Sequence, residues 1–142
     1  LVLCGIKIPF NKTLIGHSDA DVALHALTDA LLGAIGMGDI GDHFPPTDKK
    51  WSGERSSTFV EFAVGAVKQK NAKIVNADLT LICEQPKISP FKEQMVRSVA
   101  DLLHVEPSQV NVKATTTEGL GSMGRKEGIA ANAIVSIKIP NS

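Results

Sequence analysis

The sequence predicts one α+β domain, a mixed four-stranded sheet with helices on one face. The chain has 142 residues, of which 43% are apolar and 21% are charged, and this size and composition are typical of a single soluble domain. The periodicity of its apolar residues gives the element order β-α-α-β-α-β-β. Separate runs of helices and strands favour helices packed on one side of a sheet. We therefore assign residues 1–142 to one domain.

The first half of the chain is predicted to hold one strand and two helices. Residues 1–8 form a strand that Pro9 ends. The next helix covers residues 20–35, with Ser18 and Asp19 as N-cap candidates and Asp21 adding negative charge to the first turn. A polar loop over residues 39–53 follows, and loops of this length are often functional. The second helix covers residues 56–70 and carries an apolar stripe of Phe59, Phe62, Ala63, Ala66 and Val67.

The second half is predicted to hold three strands and one helix. Residues 74–83 alternate, so Val75, Ala77, Leu79 and Leu81 share one face of a strand. A helix over residues 91–103 precedes a strand over 110–115. A glycine-rich loop over residues 118–128 then leads to a last strand over 129–139. The small polar side chains on the second faces of these strands fit either a solvated surface or packing around an oligomer axis.

The composition argues against several classes of protein. Fifteen basic and fifteen acidic side chains give a net charge of zero, whereas nucleic-acid binders normally carry a basic excess. The longest apolar stretch, residues 22–37, is interrupted by His25, Thr28 and Asp29, so it does not predict a membrane span. Cys4 and Cys83 form no CxxC pair, and a reducing compartment such as the cytoplasm is expected.

One helix face carries the first candidate site. Asp21, His25 and Asp29 are spaced i, i+4 and i+8, so they line one face of an otherwise apolar helix. An imidazole between two carboxylates is either a satisfied hydrogen-bonding group or a metal ligand oriented by a carboxylate. Zinc needs three or four protein ligands, so His25 would need partners from elsewhere.

Three further segments carry polar groups suited to ligand binding. In the loop from Gly38, Asp39 can hold vicinal hydroxyls. The run from Thr115 offers hydroxyls, backbone N–H groups and Glu118, which suit phosphate and Mg²⁺, although a plain hairpin loop fits it equally well. Residues 119–124 satisfy G-x-G-x-x-G, but a strand follows instead of a helix, so a dinucleotide site is rejected. The turn over residues 83–90 is either a plain strand-to-helix connection or a turn whose free backbone groups read the edge of a base.

Four ordered motifs give the chain a resemblance to a known family. They are HSDADVALHALTDALLGA from His17, GDIGDHFP from Gly38, QPK from Gln85 and VKATTTEGLG from Val112. Together they resemble the 2-C-methyl-D-erythritol 2,4-cyclodiphosphate synthase family from Gly5 to Ile139. The resemblance implies that the chain converts 4-diphosphocytidyl-2-C-methyl-D-erythritol 2-phosphate to the cyclic diphosphate and CMP, in the non-mevalonate isoprenoid pathway. It also implies a phosphorus–oxygen lyase that acts on a small nucleotide substrate.

The resemblance also implies roles for individual residues. It makes His17 and Thr116 the groups that stabilise the transition state, His25 a zinc ligand with Asp29 behind it, and Glu118 a ligand of Mg²⁺ or Mn²⁺. The implied contacts to ribose and the methylerythritol phosphate are Ser18, Asp39, Ile40, Gly41, Phe44, Pro45, Pro46, Thr47 and Asp48. The implied contacts to cytosine are Cys83, Glu84, Gln85, Pro86, Lys87, Ile88 and Ser89. Those to the diphosphate and the trimer axis are Thr115, Thr116, Thr117, Glu118, Ser122 and Arg125.

The resemblance further implies a cytoplasmic homotrimer, packed through its sheets, with active sites between subunits; a plastid location would apply in a eukaryote. We expect residues before Leu1 to carry an Asp-x-His motif with the other zinc ligands. Pro46 stands where many relatives have an acidic residue, which removes one expected contact. Two alternatives remain open. One is the C-terminal half of a bifunctional cytidylyltransferase/cyclase, and the other is a non-catalytic module that binds a nucleotide or an isoprenoid diphosphate.

Overall fold

A mixed sheet with helices on one face forms the body of the protein. The computed structural model describes residues 1–11, 20–51 and 53–140. The helices are α1 (Val22–Ala34), α2 (Ile40–His43), α3 (Ser56–Gln69), α4 (Lys92–Leu103) and α5 (Gly121–Gly124). The strands are β1 (Val2–Leu3), β2 (Ile6–Lys7), β3 (Lys73–Ile82), β4 (Val110–Thr115) and β5 (Ala130–Lys138). None of the described helices is long and apolar enough to cross a membrane.

The main sheet has β3 at its centre. It pairs in parallel with β4 and antiparallel with β5, in the order β4-β3-β5. The prediction of a mixed sheet is therefore confirmed, whereas the described residues place three strands in it instead of four. The parallel pair aligns Ile82 with Thr115, so β3 and β4 end at the same edge. That edge brings together two of the segments predicted to bind substrate.

The first predicted strand is a hairpin. Residues 1–8 do not run straight, because Cys4 and Gly5 have φ angles of +55° and +77° and reverse the chain. β1 and β2 consequently pair with each other, Val2 opposite Lys7 and Leu3 opposite Ile6. A left-handed backbone is ordinary for glycine and costly for cysteine. Alternation of apolar residues alone does not reveal such a tight reversal.

The core lies between the helices and one face of the sheet. Alternate residues of β3, namely Ala77, Leu79 and Leu81, are fully buried, as the period-2 pattern predicts. α1 contributes Leu24, Leu27 and Leu31 to the same cluster, and α3 and α4 complete it. Helices of this length are stabilised mainly by such an apolar face, and burying one leucine side chain contributes roughly 1.5–3 kcal/mol.

Two apolar side chains depart from the predicted faces. Val75 is 49% exposed instead of sharing a face with Leu79, because a bulge between Ile74 and Asn76 shifts the pairing with β5. Phe62, predicted on the buried stripe of the second helix, is 39% exposed. The other four residues of that stripe are buried.

Helix boundaries and loops also differ in detail from the prediction. α1 begins at Val22 with Asp21 as its N-cap, so Asp21 precedes the first turn, and the predicted caps Ser18 and Asp19 lie outside the described residues. The predicted loops 39–53 and 118–128 each contain a one-turn helix, α2 and α5. Short turns of this kind have no apolar periodicity that a sequence pattern can show.

The outer face of the sheet carries a polar cluster whose charge predicts a pH dependence. Asp78 on β3 accepts a hydrogen bond from Asn111 (3.0 Å) and pairs with the Lys113 ammonium (2.8 Å), both on β4. The bonds from Lys113 and then Asn111 hold the pKa of Asp78 below its ordinary value. A lowered folded-state pKa adds stability above the unfolded pKa, and this stability is lost as pH falls through the folded pKa.

Replacing Lys113 with Met should raise the pKa of Asp78 toward its ordinary value, as followed by NMR titration of its carboxyl carbon. Both side chains are partly exposed, so the free energy of unfolding at pH 7 should fall by less than about 1 kcal/mol, and the difference should shrink in acid. Lys70→Met, at the exposed end of α3, is the matched control. An unchanged Asp78 titration would contradict the assignment.

Candidate active site

Asp21 anchors the start of the helix that carries His25. Its carboxylate is fully buried and accepts hydrogen bonds from the backbone N–H groups of Leu24 (3.0 Å), Cys4 (3.0 Å) and Gly5 (2.7 Å). The first bond caps α1, and the other two hold the turn of the β1–β2 hairpin. Of the three residues predicted on one helix face, Asp21 thus serves to fix the position of that helix.

His25 and Asp29 line a cleft between α1 and β5. The cleft has a volume of about 630 Å³, and Asn132 and small residues from Ile129 to Ala133 form its other wall. The His25 ring is half-buried, with its centroid 6.1 Å from that of Phe59. One turn further, Asp29 Oδ1 accepts a hydrogen bond from the backbone N–H of Ile40 (2.8 Å). The Asp29 carboxylate therefore ties α1 to the loop that begins at Gly38.

Metal-binding side chains are sparse around this cleft. Among the described residues, no group of three or more His, Cys, Asp or Glu side chains is placed to hold a metal ion. His17 and Ser18, predicted to contact substrate, lie outside the described residues. His25 can therefore supply one imidazole ligand, and a complete zinc site needs further ligands from outside the part of the chain that the structure describes.

The loop after α1 is held at both ends. At its start Asp39 and Asp42 form a reciprocal cap, each carboxylate accepting the backbone N–H of the other residue (3.1 and 3.2 Å). Next, the Phe44 ring packs on Phe59, Trp51 and Phe62, with ring centroids 4.6–5.0 Å apart. The residues after Phe44 are exposed: Pro45, Pro46, Thr47 and Asp48.

This aromatic cluster was missed by the sequence analysis. Phe59 and Phe62 belong to the apolar stripe of the second helix, whereas Phe44 and Trp51 come from a polar loop, and no periodic pattern links that loop to the helix. The signal available was composition, because Trp51 is the sole tryptophan of the chain and lies in a segment otherwise rich in polar residues. The cluster anchors the loop beside His25 and leaves its tip open to a ligand.

Two predicted substrate-binding segments meet at the shared edge of β3 and β4. Beyond the last paired residues, the Cys83 N–H donates to the Thr115 carbonyl (2.9 Å). Glu84 Oε1 then accepts a hydrogen bond from the Thr117 N–H (2.8 Å) and lies 3.3 Å from the Thr117 hydroxyl oxygen. Because parallel strands run in the same direction, residues that follow them emerge side by side. The segments 83–89 and 115–118 thus form one surface.

The three threonines differ in what their hydroxyls bind. Thr115 donates to the Thr116 carbonyl (3.3 Å), and Thr117 donates to the Leu120 carbonyl (2.6 Å). The Thr116 hydroxyl instead accepts a bond from the Glu118 N–H (3.1 Å). Within the described residues it is the only one of the three hydroxyls whose proton has no acceptor. Thr116 and Glu118 are both exposed, so a ligand can reach them.

Cys83 is not a nucleophile. Burial raises the pKa of its thiol, which donates to the Gln85 carbonyl (3.0 Å). Reactive cysteines instead have a lowered pKa, because the thiolate is the nucleophile. In the same turn Ile88 is buried, while Gln85, Lys87 and Ser89 are exposed. This turn can offer backbone and side-chain polar groups to a ligand, consistent with binding and not with covalent catalysis.

Ser122 and Arg125 lie on and just after α5. Both are exposed, and the Arg125 guanidinium pairs with the Glu127 carboxylate (2.8 Å). Gly119 and Gly121, with φ angles of +80° and +69°, shape the turn before this helix. The segment then continues into β5, which agrees with the rejection of a dinucleotide site.

Comparisons with known proteins agree with one another. The YgbB family model matches residues 1–138. The bifunctional enzyme IspD/IspF of Chelativorans sp. (strain BNC1) is 56% identical over 142 residues, which cover 100% of this chain and 35% of that protein. This chain therefore spans about a third of the length of such curated relatives.

Solved structures share the fold. A 2C-methyl-D-erythritol-2,4-cyclodiphosphate synthase superposes with a TM-score of 0.89 at 41% identity, over 97% of this chain and 89% of that chain. The CDP-bound form of such a synthase gives the same TM-score at 40% identity, with the same coverage of both chains.

Proposed function

The chain belongs to the YgbB family, and on this premise we propose that it cyclises 4-diphosphocytidyl-2-C-methyl-D-erythritol 2-phosphate and releases CMP. One observation carries the proposal beyond the family match. The segments expected to bind cytosine and diphosphate, 83–89 and 115–118, form one surface, and Thr116 presents an unused hydroxyl proton there. The similar synthase with bound CDP supports a cytidine nucleotide as the ligand.

The two ends of that surface suit the two ends of the nucleotide. Residues 83–89 would surround the cytosine, largely through backbone groups that can match the donor and acceptor pattern of the base. The segment from Thr115 to Glu118 would meet the diphosphate chiefly through the Thr116 hydroxyl, because the Thr117 and Glu118 N–H groups already donate to Glu84 and Thr116. Glu118 is exposed, and its carboxylate would hold Mg²⁺ or Mn²⁺, which would supply positive charge to the phosphates.

The loop after α1 would bind the sugar end of the substrate. Asp39, Ile40 and Gly41 would contact the ribose, and Phe44 to Asp48 would cover the methylerythritol phosphate. The contacts of the loop support this placement. Asp29 and the aromatic cluster hold the base of the loop, and the residues at its tip are exposed to a ligand. His17, Ser18 and the loop near Arg125 would complete the contacts.

The reaction needs alignment more than a nucleophilic side chain. An oxygen of the 2-phosphate attacks the β-phosphorus, the bond from that phosphorus to the bridging oxygen breaks, and CMP leaves with that bond's electron pair. Both reacting groups are in one molecule, and aligning such groups is worth about 7–11 kcal/mol at best. The Thr116 hydroxyl would donate to a phosphoryl oxygen as charge develops, and His17 would act in the same way.

Zinc at His25 and Mg²⁺ at Glu118 would supply positive charge that neutralises the phosphates. His25 fits this role as one imidazole ligand in an accessible cleft. The Asp29 carboxylate would orient the His25 ring. In the structure it also accepts the hydrogen bond from the Ile40 N–H and so holds the loop after α1.

The protein would assemble as a cytoplasmic homotrimer with active sites between subunits. The outer face of the sheet is consistent with packing between sheets, because it carries small and polar side chains around Ile134, which is 67% exposed. A second candidate is the cyclase part of a bifunctional protein, which is favoured by the length of the IspD/IspF relatives. The polypeptide mass of the native protein distinguishes a separate cyclase from a bifunctional protein.

We expect the full-length protein, supplied with Zn²⁺ and Mg²⁺, to release CMP from the diphosphocytidyl substrate, as measured by chromatography of the nucleotide products. The cyclic diphosphate should appear in equal amount. Binding of CDP without CMP release would overturn the proposed activity and favour the non-catalytic module. In that case, calorimetry with His25→Ala should show unchanged nucleotide binding that does not depend on zinc.

A further inference from the structure

We infer that Glu84 is a positioning residue, whose carboxylate holds the Thr117 turn so that Thr116 presents its hydroxyl to the diphosphate. This inference rests on the proposed function and assigns Glu84 a role other than contact with cytosine. Glu84 is the second residue after β3, and Thr117 is the second residue after β4. The carboxylate therefore bridges the two strand ends at the point where regular pairing stops.

The bridge is specific in its geometry. Glu84 Oε1 lies 2.8 Å from the Thr117 backbone nitrogen and 3.3 Å from its hydroxyl, and both residues are partly buried. Hydrogen bonds from an N–H to a carboxylate are stronger than those between neutral groups. The Thr117 N–H is thus committed to Glu84 and is not available to a phosphate oxygen.

The Thr117 turn needs an external tie because the backbone after it is strained. Glu118 has a φ of +54° and Gly119 a φ of +80°, and the left-handed conformation is unfavourable for a residue with a side chain. This turn directs the Glu118 N–H back to the Thr116 hydroxyl oxygen (3.1 Å). That bond uses one lone pair of the Thr116 hydroxyl oxygen, and the exposed hydroxyl can still donate its proton to a ligand. Releasing Thr117 would therefore misplace the Thr116 hydroxyl.

Charge argues against direct contact between Glu84 and the substrate phosphates. A carboxylate beside a diphosphate is repulsive unless a cation or donors compensate it. The observed partner of the Glu84 carboxylate is Thr117. If Glu84 only accepts a backbone hydrogen bond, the amide oxygen of a glutamine can take its place. The Glu84→Gln variant therefore tests whether the carboxylate acts as an acceptor or through its charge.

The test compares Glu84→Ala and Glu84→Gln with the wild-type full-length protein, using CMP release and calorimetric binding of CDP and CMP. Glu61→Gln, which is exposed on α3 and distant in sequence from both segments, is the matched control. We expect Glu84→Ala to lower kcat by about 10- to 100-fold, the scale of a misplaced catalytic contact. CDP affinity should fall by about tenfold and CMP affinity by less than about threefold, because the effect falls on the terminal phosphate. Glu84→Gln should stay within about threefold of wild type, since its amide oxygen still accepts the Thr117 N–H.

Three results would overturn the inference. An equal loss of CMP and CDP affinity in Glu84→Ala would place Glu84 at the cytosine. A Glu84→Gln variant as impaired as Glu84→Ala, or a Glu84→Ala variant with unchanged activity, would also contradict the inference. If Glu84→Ala does not fold, Glu84→Asp replaces it, because its carboxylate is one methylene shorter and should give the same selective loss of CDP affinity. Wild-type protein that binds CDP without releasing CMP overturns the proposed function alone, and the comparison of CDP with CMP still decides the role of Glu84. Wild-type protein that binds neither nucleotide overturns both.

Discussion

Replacing His25 with Ala is expected to lower CMP release by at least about 100-fold, because even residues that only support a metal ligand are worth 10–100-fold in affinity or activity. His25 is half-buried on α1 and opens into the cleft beside β5. The zinc content of the purified full-length protein should fall in parallel, as measured by mass spectrometry of the metal.

The matched control for this variant is His104→Asn. His104 is exposed after α4 with a φ of +57°, a conformation that asparagine tolerates, so this variant should retain full activity and zinc. Thermal unfolding of His25→Ala shows whether the activity is lost because the metal ligand is missing or because the protein is destabilised. An unchanged midpoint indicates the former, and a lowered midpoint indicates that the contact with Phe59 matters for stability. Undiminished turnover by a folded His25→Ala protein would show that the imidazole is not part of the reaction.

The sequence predicted the elements that repeat a pattern over several residues. The alternation of Ala77, Leu79 and Leu81 located the central strand and its buried face, and the structure confirms both. The order of the four motifs along the chain also identified the segments that resemble the substrate-binding segments of the family. Segments 83–89 and 115–118 are adjacent because β3 and β4 run parallel, and strand direction cannot be read from a single alternating pattern.

The errors share a physical cause. Reversal at Cys4, the bulge before Asn76 and the short helices α2 and α5 each depend on one or two backbone dihedral angles. Such local geometry is set by distant partners: the hairpin turn binds Asp21, and α2 begins where Asp29 accepts the Ile40 N–H. Hydrogen bonds between segments 11 to 17 residues apart leave no periodic trace in the sequence.

Replacing Asp21 with Ala is expected to lower the free energy of unfolding by about 4 kcal/mol. Loss of a helix N-cap costs about 1 kcal/mol, and each buried N–H left without an acceptor costs about 1–3 kcal/mol. Asp21 caps Leu24 in the first way and accepts the buried Cys4 N–H in the second, and the part-buried Gly5 N–H adds a cost near the lower end of that range. Because a domain of this kind is stable by only about 5–15 kcal/mol, urea unfolding should show a large shift of the midpoint.

Two further variants test whether the hydrogen bonds, and not the volume of Asp21, account for this loss. Asp21→Asn can keep an acceptor oxygen for the Leu24 and Cys4 N–H groups but then places an amide donor against the Gly5 N–H, so it should lose about half as much stability as Asp21→Ala. Ser98→Ala removes the bond from the Ser98 hydroxyl to the Cys4 carbonyl (2.6 Å) and should cost about 1 kcal/mol.

Asp101→Ala is the control for this series. Asp101 is exposed on α4, and such surface changes stay within about 0.5 kcal/mol. A loss of less than about 1 kcal/mol in Asp21→Ala would mean that the hairpin turn has other acceptors and that the buried carboxylate does not fix α1. The expected loss would instead show that this buried carboxylate, one helical turn before His25, stabilises the start of the helix that carries His25.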